Sequence, residues 1–96
     1  MSMKIVEYKD LIAFHPGQYI GELIEDYTMT QKEFAEKLGE SPKTISKLVN
    51  GEESISNDIA QKLEKLTNIS MKTWLNLQAS FDRKVAESVV LWDWLL

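Results

Sequence analysis

The stretch TQKEFAEKLGESPKTISKLVNG, Thr30 to Gly51, decides how this chain folds. Thr30 is followed three residues later by Glu33, a capping box in which each side chain can bond the other's backbone N–H. Phe34, Ala35 and Leu38 then fall on one face, and Gly39 stands where a helix wants a left-handed residue to end. Ser41-Pro42 starts again, cap then first-turn proline. This helix buries Ile45, Leu48 and Val49 and stops at Asn50-Gly51. The result is two short helices joined by a tight turn. Either they form a hairpin packed for its own sake, or the second is presented to DNA.

Outward from that stretch, the chain reads as helices throughout, with its two prolines and four glycines at the joints. A first helix opens at His15-Pro16-Gly17 and carries Ile20, Leu23, Ile24 and Tyr27 on one apolar face. A fourth is capped by Ser56 and carries Ile59, Ala60, Leu63 and Leu66. A fifth is capped by Ser70, and its stripe runs through Trp74, Leu77, Phe81, Val85, Val89 and Trp92. Roughly 25 residues without a breaker is long for so small a domain. The part through Trp74, Leu77 and Phe81 reads most simply as core. The dimer seam is expected in the continuation through Val85, Val89 and Trp92, with Trp74 and Phe81 behind it, and an intrachain contact is the alternative. Residues 1–14 form an N-terminal arm, with a short helix expected around Tyr8 to Ala13, and residues 15–96 form the domain.

Composition excludes several classes. Ninety-six residues make one domain of ordinary size. Cysteine is absent, so there is no disulfide and no thiolate metal site, which fits a cytoplasmic protein. The single histidine, His15, reads as a packing or capping residue beside Pro16; no metal site and no cofactor are expected. The segment MSMKIVEYKD lacks the apolar run of a signal peptide, and VVLWDWLL is too short to span a bilayer. No grouping of nucleophile, base and orienting residue suggests an enzyme. A net charge of −4 disfavours a bulk grip on nucleic acid but leaves room for a local basic face.

Such a face is present. A helix-turn-helix needs a small residue where its helices cross and a positive φ at the turn, and Ala35 and Gly39 stand there. The outer face of the second helix must carry groups that reach bases and phosphates. Those are Ser41, Lys43, Thr44 and Lys47, with Asn50 at the end, and no acidic residue lies between Ser41 and Asn50.

At this point the chain resembles a known family. Thr30 to Gly51 looks like the helix-turn-helix of lambda-repressor-like (XRE) proteins, with Gln31 opening one helix and Asn50-Gly51 closing the next. FHPGQYIGELIED ahead of it, the SIS start of the fourth helix, and WLNLQASFD behind it narrow the resemblance to HigA-type antitoxins, over about Phe14 to Asp82. The resemblance implies an all-α, five-helix lambda-repressor-like domain with a long C-terminal helix. It also implies a homodimer that binds a palindromic operator in double-stranded DNA, represses its own operon and neutralises a HigB-type ribonuclease toxin. Carried onto this chain, Gln31 would meet a phosphate, and Pro42 and Lys43 would open the helix that meets bases. Thr44 and Lys47 would reach bases or nearby phosphates, and Asn50 the backbone. Lysine can donate to guanine, and threonine can hydrogen-bond or meet a thymine methyl.

Two departures from the pattern stand out. Glu40 occupies a turn position that is usually apolar in the family, and it is expected either to splay outward or to loosen the turn. Glu52 and Glu53 follow Asn50-Gly51 where relatives often carry basic residues. Four Lys against three Glu leave Thr30 to Gly51 at only +1, so a shallow salt dependence is expected. Beside the antitoxin stand two alternatives: a stand-alone XRE-type repressor, and a protein-interaction module without DNA binding. A short basic reading frame next to the gene separates the first from the antitoxin; toxin binding without any promoter shift identifies the second.

Overall fold

The computed structural model describes the backbone of residues 5–8 and 11–95 and the side chains of residues 14–87. The order is β1 (Ile5–Tyr8), β2 (Leu11–Phe14), α1 (Pro16–Asp26), α2 (Gln31–Leu38), α3 (Pro42–Val49), α4 (Asn57–Thr67) and α5 (Met71–Leu95). The five helices stand where the sequence places them. The arm differs: in place of a helix around Tyr8 to Ala13 it forms an antiparallel hairpin, with Ile5 opposite Phe14 and Tyr8 opposite Leu11. The reason is tertiary. Each strand is four residues long and both lie against α5. The connecting pair Lys9-Asp10 carries none of the Asn-Gly signature that announces a two-residue hairpin turn.

Each helix start is satisfied by a side chain, which supplies an acceptor to a backbone N–H that has no partner within the helix. Ser41 Oγ accepts the N–H of Thr44 at 3.1 Å, and Ser56 Oγ that of Ile59 at 3.2 Å. The Thr30–Glu33 box is complete, with bonds of 2.9 and 3.1 Å. Thr30→Ala is expected to cost about 1 kcal/mol, read as a fall of roughly 5 °C in a thermal melt. The Thr30 backbone N–H holds the Glu33 carboxyl below the ordinary carboxylate range. Its share of stability is therefore present above the ordinary pKa and lost as pH falls through the lowered folded value.

The core gathers Ile20 and Ile24 from α1, Phe34, Ala35 and Leu38 from α2, Ile45, Leu48 and Val49 from α3, Ile59, Ala60 and Leu63 from α4, and Trp74 from α5. Burying a residue the size of Phe34 contributes on the order of 2 kcal/mol, and it is fully enclosed. Ala35 is also fully buried, the small residue expected at the helix crossing. Tyr27 departs from the expected stripe: it caps the end of α1 and remains 38% exposed, while Leu23 and Leu66 are half-buried. The loop before α4 adds Ile55, 4% exposed, a core residue outside any helical period.

Two anchors were invisible to periodicity. Gln78, 6% exposed, accepts the Ile55 N–H at 2.9 Å and donates to Asp82 at 2.9 Å, tying that loop to α5. Gly17 lies so close to α3 that a Cβ there would fall 1.6 Å from the Leu48 carbonyl oxygen. His15 caps α1, its Nδ1 accepting the Gly17 N–H at 2.9 Å, and meets the Phe81 ring edge-on with centroids 5.0 Å apart. That is the packing and capping role its neighbours suggested.

Candidate nucleic-acid interface

The helix α3 is amphipathic in the sense its sequence demands. Ile45 and Leu48 are fully buried, and the opposite face is open. Ser41, Pro42, Lys43 and Lys47 are exposed, and Thr44 and Asn50 are half-buried. Lys43 and Lys47 stand one turn apart, and neither enters an ion pair among the described residues. Their ammonium groups are therefore available to an external anion. Ser41 has a second duty: besides capping Thr44 it donates its O–H to Thr44 Oγ1 at 3.0 Å. That bond fixes both side chains and leaves the Thr44 hydroxyl proton to point elsewhere.

The turn ahead of α3 has the expected form. Gly39 adopts φ +84° as the C-cap of α2, and its N–H and that of Glu40 both return to Ala35 O, at 2.9 and 3.0 Å. Glu40 neither splays outward nor loosens the turn: it pairs with Lys62 on α4. Gln31 is exposed at the first position of α2, beside the capped Thr30. Asn50 caps α3, and the Glu52 N–H closes onto Lys47 O at 2.8 Å.

Charge is polarised along α3. Its first turn holds no acidic residue, and the aligned peptide dipoles add positive potential there. The Glu52 and Glu53 carboxylates follow the C-terminal end. An eight-residue helix is about 12 Å long, beyond the ~8 Å screening length of physiological salt. The two glutamates therefore weigh little on Lys43.

The expected dimer seam is corrected in part. Trp74 is fully buried within its own chain, its indole N–H without a hydrogen-bond partner among the described residues. Phe81 is 8% exposed and occupied by His15. Neither leaves an exposed face for a second chain; α5 packs against α4, the hairpin and α1. Val85 is half-buried. The side chains of Val89 and Trp92 lie outside the described residues. Among the described residues no cluster of His, Cys, Asp or Glu could hold a metal ion, and no helix is long and apolar enough to cross a membrane.

Residues 20–74 match the family described as Helix-turn-helix. An uncharacterised helix-turn-helix-type transcriptional regulator of Escherichia coli, YddM, is 32% identical over 75 residues, 78% of this chain and 80% of that protein. Among solved structures, a candidate antidote protein of a plasmid maintenance system from Nostoc punctiforme superposes with a TM-score of 0.82 at 35% identity, over 85% of this chain and 90% of that one. The antitoxin HigA of Pseudomonas aeruginosa, solved with the higBA promoter, gives a TM-score of 0.75 at 26% identity, over 79% and 84% of the two chains.

Proposed function

The chain belongs to the helix-turn-helix family, and from that premise we propose that it is a HigA-type antitoxin that binds an operator in its own promoter and represses transcription. The observation that carries this reading is the outer face of α3: two unpaired lysines one turn apart on a carboxylate-free surface, on a helix held by a complete helix-turn-helix core. The likeness to an antitoxin solved with the higBA promoter supports DNA as the partner. In this reading Lys43 and Lys47 donate to base edges and phosphates, Thr44 reads a base, and Gln31 and Asn50 fix the register on the backbone. Ser41 and Pro42 set the start of the helix. The function is binding in the cytoplasm, without a catalytic step.

Each chain offers one recognition helix. A palindromic operator is then read by a homodimer whose two α3 helices lie ~34 Å apart, about one turn of DNA. The apolar end of α5, from Val85 onward, is the surface assigned to that dimer. The second partner is a HigB-type toxin encoded beside the gene.

A gel shift on the gene's own upstream region tests this. The protein is expected to shift a fragment holding an inverted repeat and to protect both half-sites. A chain that stays monomeric at binding concentration and protects one isolated half-site would refute the dimeric repressor. Co-purification with the product of the neighbouring gene tests the toxin; a stand-alone repressor retains the shift and lacks that partner.

A further inference from the structure

Helix α4 contributes one side chain to the turn between α2 and α3. Lys62 Nζ pairs with the Glu40 carboxylate, lies 3.4 Å from the Gly39 carbonyl oxygen, and bonds Asp58 at 3.2 Å, one turn back on its own helix. The Glu40 side chain is 19% exposed and that of Lys62 32%, so the contact is partly sheltered. Two consecutive residues of a three-residue turn are thus gripped from a neighbouring helix. The Glu40 carboxylate first, and Asp58 after it, hold the Lys62 ammonium above the ordinary lysine range.

Two consequences follow. The turn joins Gly39 in the left-handed conformation to Ser41, the cap of α3, so its geometry sets where α3 begins. Glu40 is also three residues before Lys43, and no other carboxylate lies between Lys37 and Glu52 in sequence. Unpaired, it would place a negative charge within a Debye length of the phosphates that Lys43 is to meet. Paired, its charge is neutralised and its side chain is drawn toward α4.

We propose that Lys62 is a positioning residue for operator binding: it clasps the Gly39-Glu40 turn to α4, sets the start of the recognition helix and withdraws the Glu40 carboxylate from the DNA. This rests on the DNA-binding reading above. Lys62 itself need not touch DNA, which separates its role from that of Lys43.

The test is a set of variants measured on the gene's own operator fragment across a salt series. Lys62→Met keeps the aliphatic stem and removes the charge; it is expected to bind about 10-fold more weakly. Its salt slope should equal that of wild type, because no phosphate contact is lost. Lys62→Arg should bind like wild type. Adding Glu40→Gln to Lys62→Met should restore most of the affinity, since the orphaned carboxylate is gone. The melting temperature of Lys62→Met should move by no more than ~3 °C, because partly exposed ion pairs contribute little to stability. Amide exchange over residues 39–44 should quicken in Lys62→Met, with or without DNA. Unchanged affinity overturns the proposal. So does a salt slope reduced by about one without rescue by Glu40→Gln, which would make Lys62 a phosphate contact. Unchanged exchange at residues 39–44 overturns the clasp itself. A wild-type chain that shifts no upstream fragment at low salt overturns the DNA-binding reading instead, and with it the consequence for operator binding.

Discussion

A Gly17→Ala variant is expected to melt roughly 15 °C below wild type, while Gly21→Ala, one turn along the same helix, melts at or above it. Both glycines lie on α1 where it approaches α3. At Gly17 an added Cβ would sit 1.6 Å from the Leu48 carbonyl oxygen and 2.6 Å from its carbon. Those are backbone atoms, so no rotamer relieves the overlap; α1 or the C-terminal end of α3 has to move. Overpacking of this kind costs about 3 kcal/mol. At Gly21 the same methyl would meet only Val49 Cγ1 at 3.5 Å, an ordinary contact. There the higher helix propensity of alanine contributes up to about 1 kcal/mol. Thermal melts by circular dichroism give the comparison directly. Equal melting temperatures for the two variants would mean that the close approach of α1 to α3 is unimportant. Because Leu48 belongs to α3, a Gly17→Ala chain that remains folded at low temperature is also expected to bind operator more weakly.

The Lys43→Ala/Lys47→Ala double variant is expected to lose roughly 100-fold in operator affinity while melting like wild type. Both side chains are exposed and free of ion pairs among the described residues, so their truncation removes no internal contact. If both meet phosphates, the logarithmic salt slope falls by about two; if one meets a base, it falls by about one and discrimination between operator and random DNA narrows. Gel shifts at two or more salt concentrations separate these outcomes. Affinity unchanged at low salt would remove α3 from the DNA interface. Toxin binding would then become the function to test.

Much of this was legible in the sequence because it was local. The Thr30–Glu33 box, the Ser41 and Ser56 caps, the left-handed Gly39 and the buried faces of α2 and α3 depend on residues within one or two turns of each other, and all stand as expected. The exposed set on α3 was equally local, since it is the complement of Ile45 and Leu48 on an eight-residue helix.

What escaped depended on residues distant in the chain. Strand-like pairing of residues 5–8 with 11–14 comes with support from α5, some 60 positions later. Trp74 and Phe81 fitted both a core and a dimer seam in the sequence, because periodicity does not show that Trp74 is enclosed within its own chain and that His15 meets Phe81. Glu40 looked like a defect of the turn because its partner, Lys62, is 22 residues away. Gly17 looked like a helix opener, and its need for a bare Cα arises from a carbonyl 31 positions further on. Sequence by itself determined the five helices that follow His15, where they start, and which face of α3 is open, because backbone hydrogen bonding and side-chain periodicity act over a few residues. Only the tertiary structure decided how α3 is held at its two ends, by Gly17 against Leu48 and by Lys62 on the turn, because those contacts exist only once separate helices have packed.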